Sequence, residues 1–162
     1  MAGMETPQPT DAHKKLHYFA GSWKGDDVMP PGPWSPTPVP AQSSVTFAIG
    51  QNGMILKSEY EYWDEVMVPK GTYSGHGVYG YDTEAELYTM HWFDSHRGTS
   101  GVHRAEGTWV GDTLTMIERG AKMWHRSTYR IVDANTYTHK MESSSDGGAT
   151  WTTFLESTTT RA

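Results

Sequence analysis

The chain contains no cysteine, which removes disulfide staples, thiol nucleophiles and thiolate metal sites together. That absence fits an expected cytoplasmic location. No apolar run approaches the length of a bilayer-crossing helix, so no membrane span is expected. The opening stretch, Met1 to Asp11, lacks a basic segment followed by an apolar one and does not read as a secretory leader. Basic residues are few and scattered: 13 Lys and Arg stand against 19 Asp and Glu, a net charge of -6. Without a cationic cluster, nucleic acid is excluded as an expected partner. Hydrophobic residues make up only 36%, and the shortfall is in aliphatic side chains, because seven Trp and nine Tyr supply apolar area of another kind.

What is present points to strands. Seventeen Gly and nine Pro call for many turns, and Thr recurs in segments of period-two alternation. Residues 1–9 are expected to be a disordered tail, and residues 10–162 a single β-barrel domain. Thr10 or Asp11 can cap a short helix that carries Leu16 and Phe19 on one side and stops at Gly21. Trp23 then opens an extended segment reaching Val28 or Met29. The string from Met29 to Pro40 holds six prolines and forbids a regular ladder. A low-complexity linker and a stiff loop over a barrel mouth are the two readings, and Trp34 in its middle favours the loop. Strands are expected at Ser44 to Ile49, Met54 to Trp63, Tyr73 to Tyr81, Glu86 to Asp94, Gly101 to Trp109, Thr113 to Glu118, Met123 to Val132, Thr136 to Glu142 and Thr150 to Thr158. Gly50-Gln51-Asn52-Gly53, Gly111-Asp112, Asp133-Ala134-Asn135 and Asp146-Gly147-Gly148 supply the turns between them. About ten antiparallel strands joined by hairpins predict an all-β, up-and-down closed barrel with a short N-terminal helix, since closure removes exposed edges.

His13-Lys14-Lys15-Leu16 followed by Phe19-Ala20-Gly21-Ser22-Trp23 resembles the entry segment of calycin-like barrels, the superfamily of lipocalins, fatty-acid-binding proteins and nitrobindins. Gly80-Tyr81-Asp82, Trp92-Phe93-Asp94-Ser95, Gly107-Thr108-Trp109 and the terminal Glu156 to Arg161 segment are similar to a bacterial lipocalin-like family of unknown function. The resemblance implies the barrel fold, with the Trp23 indole plugging its floor. It implies no particular chemistry.

Tyr73 to His96 mixes aromatic rings with imidazoles in two extended segments, a composition that suits a pocket wall. Alternation places His91 with Leu87, Thr89 and Phe93; His103 with Gly101, Ala105 and Trp109; His125 with Met123, Tyr129 and Ile131; and His139 with Tyr137 and Met141. These companions predict inward faces. The candidate ligand-binding residues are therefore His91, His103, His125, His139, Tyr79, Phe93, Tyr129, Met141 and Trp34. Converging, the four histidines are candidate ligands for a divalent metal, or one of them for a haem; each hydrogen-bonding a neighbour in a polar lumen is the alternative. No local metal-binding spacing supports the metal, and no proximal histidine aligns for the haem. Glu59 and Glu61 alternate with Tyr60 and Tyr62, so one of these pairs faces out, and parity does not choose between them. No catalytic residue is assigned. The expected function is binding of a small, partly apolar or aromatic molecule in the lumen; the alternative is an isomerase, hydratase or lyase using lumen histidines as acid, base or metal ligand. Near-equal apolarity of the two faces of Glu86 to Asp94 leaves a homodimer open.

Overall fold

The computed structural model describes residues 3–96 and 103–162. Ten antiparallel strands run in chain order: β1 Gly21–Met29, β2 Val39–Gly50, β3 Ile55–Asp64, β4 Tyr73–Asp82, β5 Leu87–Asp94, β6 His103–Val110, β7 Thr113–Arg119, β8 Trp124–Asp133, β9 Thr136–Ser144 and β10 Thr152–Arg161. Each pairs with its neighbours in sequence, and β1 also pairs with β10, from Trp23 opposite Arg161 to Val28 opposite Glu156. The expected closed barrel of about ten strands is therefore the observed fold.

One end is sealed by the N-terminal segment. Thr10 caps α1 (Asp11–Lys15) through a reciprocal box with His13, whose imidazole is buried, and a single 3-10 turn over Leu16–Phe19 follows. The helix gives way at Ala20, one residue before its expected end. Gly21, at φ +120, then makes a turn into β1 that an L side chain rarely adopts. Leu16, Phe19 and Trp23 are nearly solvent-free, and the Trp23 indole N–H donates to the Phe19 carbonyl at 2.7 Å. Phe19 meets Phe47, Trp109, Tyr129 and Tyr137 across the barrel, so aromatic rings fill this end where aliphatic residues are scarce.

The proline-rich stretch yields more strand than expected. β2 begins at Val39, with Pro40 opposite Val28 on β1. This is tolerated because β3 pairing starts only at Ala41, so the missing Pro40 amide interrupts no ladder on that side. Between β1 and β2 the chain forms a loop, as expected from Trp34. Its indole packs with Met29, Val39 and Leu155 and donates to the Pro30 carbonyl at 2.7 Å. Among the described residues, no helix is long and apolar enough to cross a membrane.

Candidate ligand cavity

Beyond the aromatic plug the barrel is not filled: a cavity of about 400 Å³ reaches from the rings of Tyr79, Tyr129 and Tyr137 to the β3–β4 loop, where Met67 and Val68 meet it. Parity around the wall follows from Trp23. In β1 the inward positions are Trp23, Gly25, Asp27 and Met29, and the register then assigns inward faces to Ser43 and Val45 of β2 and to Tyr60 and Tyr62 of β3. Glu59 and Glu61 are consequently the outward pair.

Four rings form one side of the cavity. Tyr60 stands edge-on to Tyr73 at 6.2 Å and to Trp92 at 5.9 Å, and Tyr62 edge-on to Tyr73 at 6.4 Å. The Trp92 indole lies directly on Gly75, where a Cβ would overlap its ring, and its N–H donates to Asp94 at 3.1 Å. Gly75-His76-Gly77 is thus a place where an indole approaches the backbone. At the rim, Asp64 Oδ1 accepts the amides of Val66, Met67 and Val68, and its Oδ2 accepts the Tyr62 hydroxyl. Burial pushes this carboxyl up, but the Met67, Val66 and Val68 amides and Tyr62 outweigh it and hold the pKa below its ordinary value.

Beside these rings, where Ser43 pairs with Tyr62, is a group of oxygens. Asp27 is 3% exposed, and neither carboxyl oxygen makes a well-formed hydrogen bond among the described residues. Burial raises its pKa, and the Ser157 and Ser43 hydroxyls offset that only in part. Gly25 provides the room: a Cβ there would lie 2.5 Å from Asp27 Oδ1 and 2.9 Å from Ser157 Oγ, and closer still to Ser43 Oγ. Ser157 and Thr159 share a hydrogen bond at 3.0 Å. Ser43, Ser157 and Thr159 line the cavity; Asp27 does not, but the Ser157 and Ser43 hydroxyls act on its carboxyl.

The third side carries imidazoles. His139 is stacked on Tyr129, and burial lowers its pKa to about 4, so it is neutral at ordinary pH. Glu118 lines the cavity between two histidines, 2.7 Å from His103 Nδ1 and 3.9 Å from His125 Nδ1.

Of the residues singled out from sequence, Tyr79, Tyr129, His125, His139 and Met141 lie on the cavity wall. His103 reaches it through Glu118, and Trp34 packs beside it without lining it. The inward face expected for His91 and Phe93 is corrected. In β5 it is Met90, Trp92 and Asp94 that line the cavity, so His91 points outward and Phe93 is 46% exposed. Both faces of that strand are apolar, so alternation alone could not orient it. Gly101, expected to start β6, lies outside the described residues. The four histidines do not meet as a set, and among the described residues no three His, Asp or Glu are grouped to hold a metal ion. The described wall also carries no Lys or Arg to receive haem carboxylates. Asp27 carries no signal of its own, because Asp26-Asp27 has the composition of a solvated pair; counting in twos from Trp23 places it inward.

A model of the protein family described as "Protein of unknown function (DUF1579)" matches residues 8–161. Comparison with curated proteins gives no match. Among solved structures, the chain is similar to Rv2717c from M. tuberculosis, with a TM-score of 0.64 and 16% identity over 94% of this chain and 98% of that one. It is also similar to the S-type phycobiliprotein lyase CPES from Guillardia theta, with a TM-score of 0.61 and 14% identity over 94% and 93%. At these identities the likeness is one of fold, and it agrees with a calycin-like, lipocalin-type barrel. Because the family match runs through the plug, all ten strands and the terminal Arg161, the chain belongs to the DUF1579 family.

Proposed function

We propose that the lumen binds one small molecule whose surface is largely apolar or aromatic. The observation that carries this reading is the cavity of about 400 Å³ held open in a barrel whose other end is densely packed with its own rings. Interiors normally close such space, and an apolar cavity with a few convergent polar groups is the usual form of a ligand site. Tyr79, Tyr129, His125, His139 and Met141 contribute wall contacts, and Trp34 braces the rim beside them. A cytoplasmic location, and a homodimer through the outer face of β4 and β5 where Phe93 is exposed, belong to the same proposal.

A second reading is catalytic. One similar barrel is named a lyase, and on this chain Glu118 between His103 and His125 is the arrangement that favours acid–base chemistry. The carrier reading is preferred because it needs only the cavity.

The test is titration with the neutral fluorophore N-phenylnaphthylamine. Ser127 of β8 lines the cavity, so one-to-one binding that is abolished in Ser127→Trp, which puts an indole into the lumen, is the expected result. No binding, or equal binding by the filled variant, would overturn the proposal.

A further inference from the structure

We infer that the lumen recognises its ligand through a protonated amine, held against the Ser43 and Ser157 hydroxyls with the Asp27 carboxylate behind them and the Tyr60, Tyr62, Tyr73 and Trp92 rings around it. The inference rests on the reading of the lumen as a binding cavity.

Its starting point is an incompletely satisfied buried acid. Asp27 lies in the barrel wall at 3% exposure without a well-formed hydrogen bond, and no cation is among the groups acting on it. The groups facing it from each packed element are Ser43 on β2, Tyr60 and Tyr62 on β3, Tyr137 on β9, and Ser157 and Thr159 on β10; Asp26 is its neighbour on β1. All are hydroxyls except Asp26, which adds negative charge. Such a carboxyl is costly in a core that apolar side chains would fill more stably. The cost is understandable if a bound molecule supplies the missing positive partner.

The local geometry is suited to that partner. A serine hydroxyl that turned its proton to Asp27 would leave its lone pairs free to accept from an N–H in the cavity. Gly25 removes the side chain that would otherwise occupy this position. Tyr60 and Tyr62 join the oxygens to the aromatic group, since Ser43 pairs with Tyr62 and Tyr60 stands edge-on to Trp92 and Tyr73. Ring faces and a buried carboxylate together are the chemistry of ammonium recognition. The described wall has no Lys or Arg, and the ionised Asp64 stands at its rim, so an anionic group meets an unfavourable field there.

The effect of pH follows. Burial raises the Asp27 pKa, so acidification protonates this group early, removes the anion behind the serines, and weakens amine binding. The tyrosines facing it stay neutral throughout that range, and Asp26 beside it on β1 is the other carboxyl acting on it.

The experiment is calorimetric titration at neutral pH with naphthylethylamine, naphthylethanol and naphthylacetate, which share one ring system. The amine is expected to bind at least about tenfold more tightly than the alcohol, with the acetate weakest. In Asp27→Asn, and separately in the double variant Ser43→Ala with Ser157→Ala, that preference should shrink to about twofold or less. Glu59→Gln, which removes an exterior carboxylate, should keep it. Asp27→Asn should also raise the melting temperature of the ligand-free protein by ~2–4 °C, because it removes a charge buried at a cost. Alcohol binding as tight as amine binding, or a preference that survives Asp27→Asn, overturns the inference and leaves the cavity reading intact. Failure of all three probes to bind overturns both.

Discussion

The Tyr129 ring lies flat against the His139 imidazole, with centroids 4.2 Å apart and planes 7° from parallel. This stack holds a neutral imidazole on the cavity wall. Its Nε2 is buried without a hydrogen-bond partner among the described residues, and burial lowers the pKa from 6.5 to about 4.

A pH dependence of stability follows from that value. The unfolded chain takes up a proton at His139 near pH 6.5 and the folded chain only near 4. The stability linked to this group is therefore present above pH 6.5 and lost as pH falls toward 4. The loss reaches at most about 3 kcal/mol. Urea midpoints measured across this window should fall more steeply for the native protein than for His139→Gln. An imidazole resonance of His139 titrating near 6.5 would contradict the assignment.

Arg161 closes the barrel at its floor. Its guanidinium sits 4.1 Å from the Trp23 ring centroid and donates to the carbonyls of Tyr18, Ala20 and Ala134. Arg161→Ala is expected to cost about 1–2 kcal/mol of unfolding free energy. Arg161→Lys should recover less than half, because an ammonium cannot reach three carbonyls and cover the ring at once. Denaturant unfolding of the two variants measures both.

Gly75 is where a methyl group matters to the cavity. The residue is paired with Tyr60 on one side and Asp94 on the other, so the backbone cannot retreat from the indole. Gly75→Ala should cost about 1–3 kcal/mol and push Trp92 into the lumen. Loss of the Trp92 indole N–H bond to Asp94, followed by NMR, and weaker probe binding would register it.

Asp64 organises the β3–β4 loop at the rim. Asp64→Ala leaves three amides without their acceptor and should cost about 1–3 kcal/mol, whereas Asp64→Asn keeps an acceptor oxygen and should cost less. Faster hydrogen exchange at Val66, Met67 and Val68 is the specific signature. Because the folded pKa of this carboxyl is lowered, its contribution is present above the unfolded pKa and is lost as pH falls through the folded one.

Several parts of this molecule were legible in the chain. The short helix with Leu16 and Phe19 on one side and the hairpin signals depend on local chemistry a few residues long, and the Trp23 plug is what the resemblance to calycin-like barrels implies. The proline-rich loop was recognisable, but the pairing of Pro40 was not, because it depends on where β3 ends. The face of His91 and Phe93 is not legible, because Met90 and Trp92 on the other face are as apolar as they are. Asp27 is hidden for the opposite reason: beside Asp26 its charge has the look of a solvated surface.

By itself, then, the sequence determined an antiparallel barrel with a short N-terminal helix, since a period of two and the turn residues act over short range. Only the tertiary structure decided which side of each strand meets the cavity and which polar groups are gathered there. Exchanging the two faces of a strand leaves its alternation unchanged, and the choice is made only when the closed ladder fixes every register against Trp23.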